Sequence, residues 1–204
     1  LPDHPRSTHL AELTRPTGFP PAGGFAQYAV TPVNPLVRVP DQRGDDLATL
    51  IATAGTAVYG LDVLGGLIAG ESLAVTGAGP IGLMVVAVAK ALGASPVILT
   101  DIRDDRLAVG TRLGADAVID ASKEPAVESV RRVNGARGVN YVFECSGAPN
   151  AINEAVRMVN RGGRVCLGAF ASRPVLVDVE YIVANNIYLY GIRGEGHSAV
   201  RRAA

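Results

Sequence analysis

The stretch Leu73–Ala94, "LAVTGAGPIGLMVVAVAKALGA", decides how this chain reads. The β-favouring run Leu73-Ala74-Val75-Thr76 leads into Gly77-Ala78-Gly79-Pro80-Ile81-Gly82, and a long apolar segment follows. The pattern G-x-G-x-x-G is weak alone and strong when it closes a strand and opens a helix within a βαβ unit. Each position has its own physical reason. Gly77 permits the tight turn, Gly79 lets the backbone approach a pyrophosphate, and Gly82 lets the helix lie close to the strand. Pro80 takes an early helical position, where its missing N–H costs least. The free N–H groups of that first turn, together with the helix dipole, favour an anionic diphosphate.

Working outward, strand and helix patterns alternate after residue 70. Strands are predicted at 72–76, 96–100, 117–119, 140–144, 163–168 and 187–191, with helices at 80–92, 103–113, 124–133, 149–159 and 179–184. Short apolar runs such as "PVILT" and "YVFEC" suit a sheet covered on both faces. Repeated βα units of this length give an α/β fold with a doubly wound parallel sheet, because the crossovers are right-handed and cover both faces. Six strands match the Rossmann fold.

Asp101 ends "VILTD", 19 positions beyond Gly82. A carboxylate there accepts hydrogen bonds from the adenosine ribose hydroxyls and repels a 2′-phosphate, so the turn reads as a dinucleotide site for NAD rather than NADP. Arg103 and Arg106 follow. An arginine can bind a phosphate, while stacking on the adenine is the role favoured for Arg106. Ligands of such sheets sit outside the carboxyl ends of the strands. That selects Cys145-Ser146-Gly147-Ala148, Leu167-Gly168-Ala169 and Gly191-Ile192-Arg193.

Composition bounds the rest. Apolar residues make up 48% of the 204, and charged residues 19%, enough to bury a sizeable core. Nineteen basic residues balance nineteen acidic ones, which gives no electrostatic reason to expect nucleic acid or an anionic membrane as partner. No apolar run reaches transmembrane length free of Gly, Pro or charge, and no signal peptide is visible. Cys145 and Cys166 form neither a CxxC pair nor a metal spacing with histidine, and read as reduced packing residues of a cytoplasmic protein. Upstream, residues 1–24 read as loop and "GGFAQYAVTPVNPLVRVPD" (23–41) as short antiparallel strands. Residues 45–64 read as helix, with a break expected near Gly55. The chain opens at Leu1-Pro2-Asp3 and stops at Arg201-Arg202-Ala203-Ala204 within a helical pattern, so both ends are expected to be cut.

Taken together, these residues resemble the zinc-type medium-chain alcohol dehydrogenases, in particular the polyol (sorbitol) and threonine dehydrogenase branch. "GGFAQYAVTPVNPLVRVPD" is similar to the last strands of that family's GroES-like catalytic domain, and "DDLATLIATAGTAVYGLD" to the helix joining its two domains. "GAGPIGLMVVAVAKALGA", "VILTDIRDDRL", "LGADAVID", "FECSGAP", "RGGRVCLGAF" and "LYGIRGE" follow in the family's order. The resemblance implies two regions: a remnant of the GroES-like domain at 1–44, and an NAD-binding Rossmann domain with its interdomain helix at 45–204. It implies cofactor contacts at Gly77, Gly79, Pro80, Ile81 and Gly82, Asp101 on the ribose, and Arg106 near the adenine. Ser146, Gly147, Leu167, Gly168, Ile192 and Arg193 would line the nicotinamide half, with Thr56 meeting the ring from the interdomain helix. It also implies a homo-oligomer, dimer or tetramer, paired through the sixth strand region "NNIYLYG".

The family's zinc is where the chain departs from the pattern. The resemblance implies a Cys and a His ligand upstream of residue 1 and a third ligand at "IATAG", where Ala52-Thr53 stand and neither is a usual zinc ligand. His4 and His9 lie in a loop-like tail, and His197 reads as the surface start of a helix. Tyr59 is a conceivable proton donor but reads as a packed helix residue. No catalytic residue and no metal ligand can be assigned. Three functions follow: an NAD-dependent alcohol or polyol dehydrogenase of which this is a segment, a zinc-independent quinone or enone reductase, and a dinucleotide-binding module without catalysis. On the first, hydride passes between an alcohol carbon and nicotinamide, and the chain alone, lacking zinc ligands, would be inactive.

Overall fold

The computed structural model describes residues 27–28, 36–39, 44–171, 173–194 and 197–204. The loop expected over 1–24, His4, His9 and most of the strands expected over 23–41 lie outside the described residues. Residues 27–28 and 36–39 form no strand.

Six parallel strands form one sheet: β1 (Leu73–Thr76), β2 (Val97–Asp101), β3 (Ala117–Asp120), β4 (Val139–Glu144), β5 (Val159–Leu167) and β6 (Tyr188–Gly191). Their order across the sheet is β3-β2-β1-β4-β5-β6, with every pairing parallel. The sheet is laid down from β1 out to β3, and the chain then returns to place β4 on the other side of β1. This reversal opens a crevice beyond the carboxyl ends of β1 and β4. The crossovers are α3 (Pro80–Ala91), α4 (Asp104–Arg112), α5 (Ala126–Val133), α6 (Ala151–Met158) and α7 (Val179–Ala184). Two helices, α1 (Asp45–Ala48) and α2 (Ile51–Asp62), precede the sheet, and α8 (His197–Ala203) follows it.

Alternation along the strands builds a core on each face. Leu73, Val75, Leu99, Tyr141 and Phe143 meet Ala57 and Leu61 of α2 and Val85, Val86 and Ala89 of α3. On the other face Ala74, Ile98, Val142 and Val165 meet Val130 of α5 and Ala155, Val156 and Met158 of α6. Because successive side chains point to opposite faces, a strand buried on both reads as an unbroken apolar run.

The stretch Asp45–Gly65 is long and apolar enough by composition to cross a membrane, but it is not one helix here. It is interrupted at Thr49-Leu50, where the Thr49 hydroxyl donates to Asp46 O at 2.7 Å. The break expected at Gly55 does not occur. Gly55 is buried inside α2, and one interior glycine costs only about 1 kcal/mol of helix propensity, which packing offsets. Tyr141 and Tyr190 both donate their hydroxyls to Gly60 O, at 2.6 and 2.7 Å, fastening α2 to the sheet. Gly60 is glycine for a packing reason, since a Cβ there would run into the Phe143 ring.

Strand β5 begins at Val159, ahead of the expected 163, because Asn160-Arg161-Gly162-Gly163 belong to it. The register to β4 slips between Val139 and Tyr141, and Gly162 takes φ +74°, so this glycine-rich piece is an irregular strand rather than a turn. Just beyond it Arg164 forks onto Glu71 (2.7 and 2.6 Å), with its guanidinium 5.0 Å above the Tyr141 ring.

Candidate functional site

The crevice at the carboxyl ends of β1, β2 and β4 is a cavity of about 510 Å³. Gly77, Gly79, Asp101, Arg106 and Ser146 all line it, together with Ile102 and Arg103. Residues far apart in sequence are thus brought to one place by the strand order.

The glycine turn is built as its spacing suggests. Gly77 has φ +92°, and a Cβ there would lie 2.8 Å from the Ser146 backbone. A Cβ on Gly82 would strike the carbonyl oxygen of Gly77, so only glycine lets the first turn of α3 close on the strand. Gly79 differs from both. Its φ and ψ of −74° and −180° are open to any residue, and nothing lies within 4 Å of a Cβ placed there. The space in front of Gly79 belongs to the cavity. Pro80 and Ile81 form the first turn of α3, with Pro80 in an opening position and Ile81 packed on the core.

Asp101 is tied into this turn. Its Oδ2 accepts the Ala78 N–H at 2.5 Å, and its Oδ1 accepts those of Ile102 and Arg103 at 2.8 and 2.9 Å. A carboxylate offers about four acceptor positions, so these three bonds do not exhaust it. Arg106 lines the cavity with no side-chain partner among the described residues, whereas Arg103 is paired with Asp105.

Sequence reasoning missed Glu144. It is 2% exposed at the end of β4. Its Oε1 accepts Ser146 Oγ–H at 2.6 Å, Ser146 N–H at 2.7 Å and Gly147 N–H at 2.9 Å. This buried acceptor fixes the loop that forms the cavity's second wall. The available signal was the acid itself, at the end of the otherwise apolar "YVFEC". Burial, reinforced by the Glu144 charge, pushes the neighbouring Cys145 thiol well up, so it stays protonated and is no nucleophile at neutral pH.

Residues 80–204 match the family model for zinc-binding dehydrogenases. The chain belongs to this family. Among curated relatives, the L-threonine 3-dehydrogenase of Colwellia psychrerythraea is 34% identical over 187 residues, 92% of this chain and 54% of the relative. That of Pyrococcus horikoshii is 37% identical over 187 residues, 91% of this chain and 53% of the relative. Of solved structures, the alcohol dehydrogenase of Thermus sp. ATN1 superposes with a TM-score of 0.75 at 30% identity, covering 81% of this chain and 48% of that one. The chain therefore spans about half the length of the curated relatives it matches. The resemblance to the threonine and polyol branch of the zinc-type alcohol dehydrogenases holds.

The remaining candidate site residues of this chain do not line the cavity. Gly147 takes φ +65°, and a Cβ there would lie 2.7 Å from Phe170 O. Leu167 ends β5, Gly168 N–H donates to Glu144 O at 2.8 Å, and Ile192 N–H donates to Leu167 O at 3.1 Å. Ile192 packs on the core, beside Gly60 of α2, and Arg193 is exposed. Thr56 lies on α2, its hydroxyl donating to Ala52 O at 3.3 Å. Among the described residues no three His, Cys, Asp or Glu side chains group closely enough to hold a metal. Ala52 and Thr53 near the start of α2 bring no usual zinc donor. Zinc does not fit the residues described.

Proposed function

We propose that this chain is the nucleotide-binding part of an NAD-dependent oxidoreductase of the alcohol and polyol dehydrogenase type, with residues 45–204 as the NAD-binding domain and 1–44 as the end of a GroES-like catalytic domain. The observation that carries this reading is Gly79, a glycine that neither its backbone conformation nor any neighbouring protein atom requires, facing the cavity beside Asp101. A pyrophosphate approaching the backbone is what such a glycine serves. The free N–H groups at the start of α3 would hold the diphosphate, Asp101 the adenosine ribose, and Arg106 the adenine. Ser146, Gly147, Leu167, Gly168, Ile192, Arg193 and Thr56 would position the nicotinamide half across the ends of β4, β5 and β6.

When bound, NAD supplies a hydride acceptor for a hydroxyl-bearing carbon, the hydroxyl proton leaving as the carbonyl forms. The curated relatives are named for dehydrogenation of L-threonine at carbon 3, and a small alcohol or polyol is the substrate class proposed here. Zinc would have to be held by side chains outside the described residues. Both cysteines are free thiols, which suits a cytoplasmic protein. A homo-oligomer would form through β6, whose Tyr188 is 49% exposed at the end of the sheet order, since an open edge invites pairing.

Ala52-Thr53 favours a second reading, a zinc-independent reductase of quinones or enones. Titrating NADH and NADPH into the full-length protein, then assaying L-threonine and polyol oxidation with and without a chelator, separates the readings. Tight NADH binding, weaker NADPH binding and chelator-sensitive oxidation are expected. NADPH preference with chelator-resistant reduction favours the second reading. NADH binding without turnover leaves a binding module, and binding of neither dinucleotide overturns the proposal.

A further inference from the structure

Arg103 follows Asp101 by two residues and lines the cavity. A guanidinium at that rim is well suited to a ribose 2′-phosphate, which would work against the NAD preference expected from Asp101. The structure shows where the guanidinium goes instead. Arg103 Nε donates to Asp105 Oδ1 at 3.0 Å and Nη2 to Oδ2 at 2.6 Å, a two-pronged fork. The fork spans the first turn of α4, where a carboxylate is already favoured by the helix dipole. Both partners are more than half exposed, so the hold is a modest one. Arg103 also feels the Asp101 charge, which leaves it between two carboxylates. The adjacent Asp104 has a different partner, Lys123 Nζ at 3.1 Å.

We propose that Asp105 is a specificity-determining positioning residue: by holding Arg103 along α4 it withholds the guanidinium from a 2′-phosphate, so that the loop after β2 accepts NAD and disfavours NADP. This rests on the reading of the cavity as the adenosine half of a dinucleotide site. Asp101 acts directly on the ribose; Asp105 acts through Arg103. The pair also accounts for an arginine being tolerated beside an NAD-type acid.

The test is a set of binding titrations of the full-length protein with NADH and NADPH as probes. Asp105→Ala is expected to tighten NADPH about fivefold, the scale on which an exposed ion pair holds its partners, with NADH changing less than about twofold. The gain must vanish in the Asp105→Ala/Arg103→Ala double variant. Asp104→Ala removes an equal charge from the same turn without freeing Arg103, and must leave NADPH binding within about twofold of the parent. No gain with Asp105→Ala, a gain that survives loss of Arg103, or an equal gain with Asp104→Ala overturns the proposal. Binding of neither dinucleotide by the parent protein has a different signature: it overturns the reading of the cavity and this inference with it.

Discussion

Asp101 Oδ2 accepts the N–H of Ala78 at 2.5 Å, joining the end of β2 to the middle of the glycine turn after β1. One carboxylate thus holds the turn in shape while lining the cavity. Asp101→Ala should therefore act on binding and on stability together. NADH affinity is expected to fall about tenfold or more, because hydrogen bonds to a charged group are worth roughly 1.5–3 kcal/mol, and discrimination against NADPH should relax. Titrations with both nucleotides and a thermal melt check this. An unchanged nucleotide preference would remove Asp101 from its assigned role.

Glu144 makes the loop after β4 in the same manner, from inside. In Glu144→Ala the N–H groups of Ser146 and Gly147 lose their carboxylate acceptor, and hydrogen bonds to a charged group are worth about 1.5–3 kcal/mol. A loss of about 3 kcal/mol is expected, lowering the melting temperature by roughly 6–12 °C for a chain of this size. Dinucleotide affinity should fall as well, since Ser146 lines the cavity. A melt indistinguishable from the parent's would show that this loop is held by something else.

What could be read in the sequence follows local chemistry. The glycine turn, the strand–helix alternation and Asp101 were legible, because each rests on spacing within about thirty residues of a βαβ unit. Glu144 was not, because the Ser146 hydroxyl and the Ser146 and Gly147 N–H groups turn toward it only once the chain bends after β4. The fork between Arg103 and Asp105 is a choice of side-chain direction, on which spacing is silent. The early start of β5 was hidden by Asn160-Arg161-Gly162-Gly163, turn formers that bulge out between the β4 pairings of Val159 and Arg164. A break near Gly55 is what its poor helix propensity suggests, whereas Gly55 is buried within α2 and the interruption falls at Thr49-Leu50.

Stability should be greatest over a plateau between about pH 5 and 8. Lys123 and Ser122 hold the Asp120 carboxyl far below the usual range. Asp105 and Glu124 are lowered by their hydrogen bonds to Arg103 and Ser129. At Asp116 burial pushes upward, but the Val97 N–H and Lys90 more than offset it. A depressed carboxyl stabilises the fold above its unfolded pKa, near 4, and that contribution is lost as pH falls toward the folded value. Cys145, Cys166 and Tyr190 have the opposite sign, since burial raises each. They favour the fold below their unfolded values, about 8.5 for a thiol and 10 for a phenol, and the advantage is lost above. Urea midpoints measured from pH 3 to 10 should trace this shape. A midpoint that rises steadily on acidification would contradict it.

The space in front of Gly79 is proposed to be kept for a pyrophosphate, and Gly79→Ala is the variant that probes it alone. Alanine fits the backbone there and meets nothing within 4 Å, so the melting temperature should stay level or rise slightly, a stability change of about 0–1 kcal/mol. Gly82→Ala, whose Cβ would strike the Gly77 carbonyl, should be strongly destabilised and marks the contrast. Folded Gly79→Ala protein is expected to bind NADH at least about tenfold more weakly than the parent, because its methyl group occupies the space the diphosphate needs. A Gly79→Ala protein that binds NADH as tightly as the parent would contradict it.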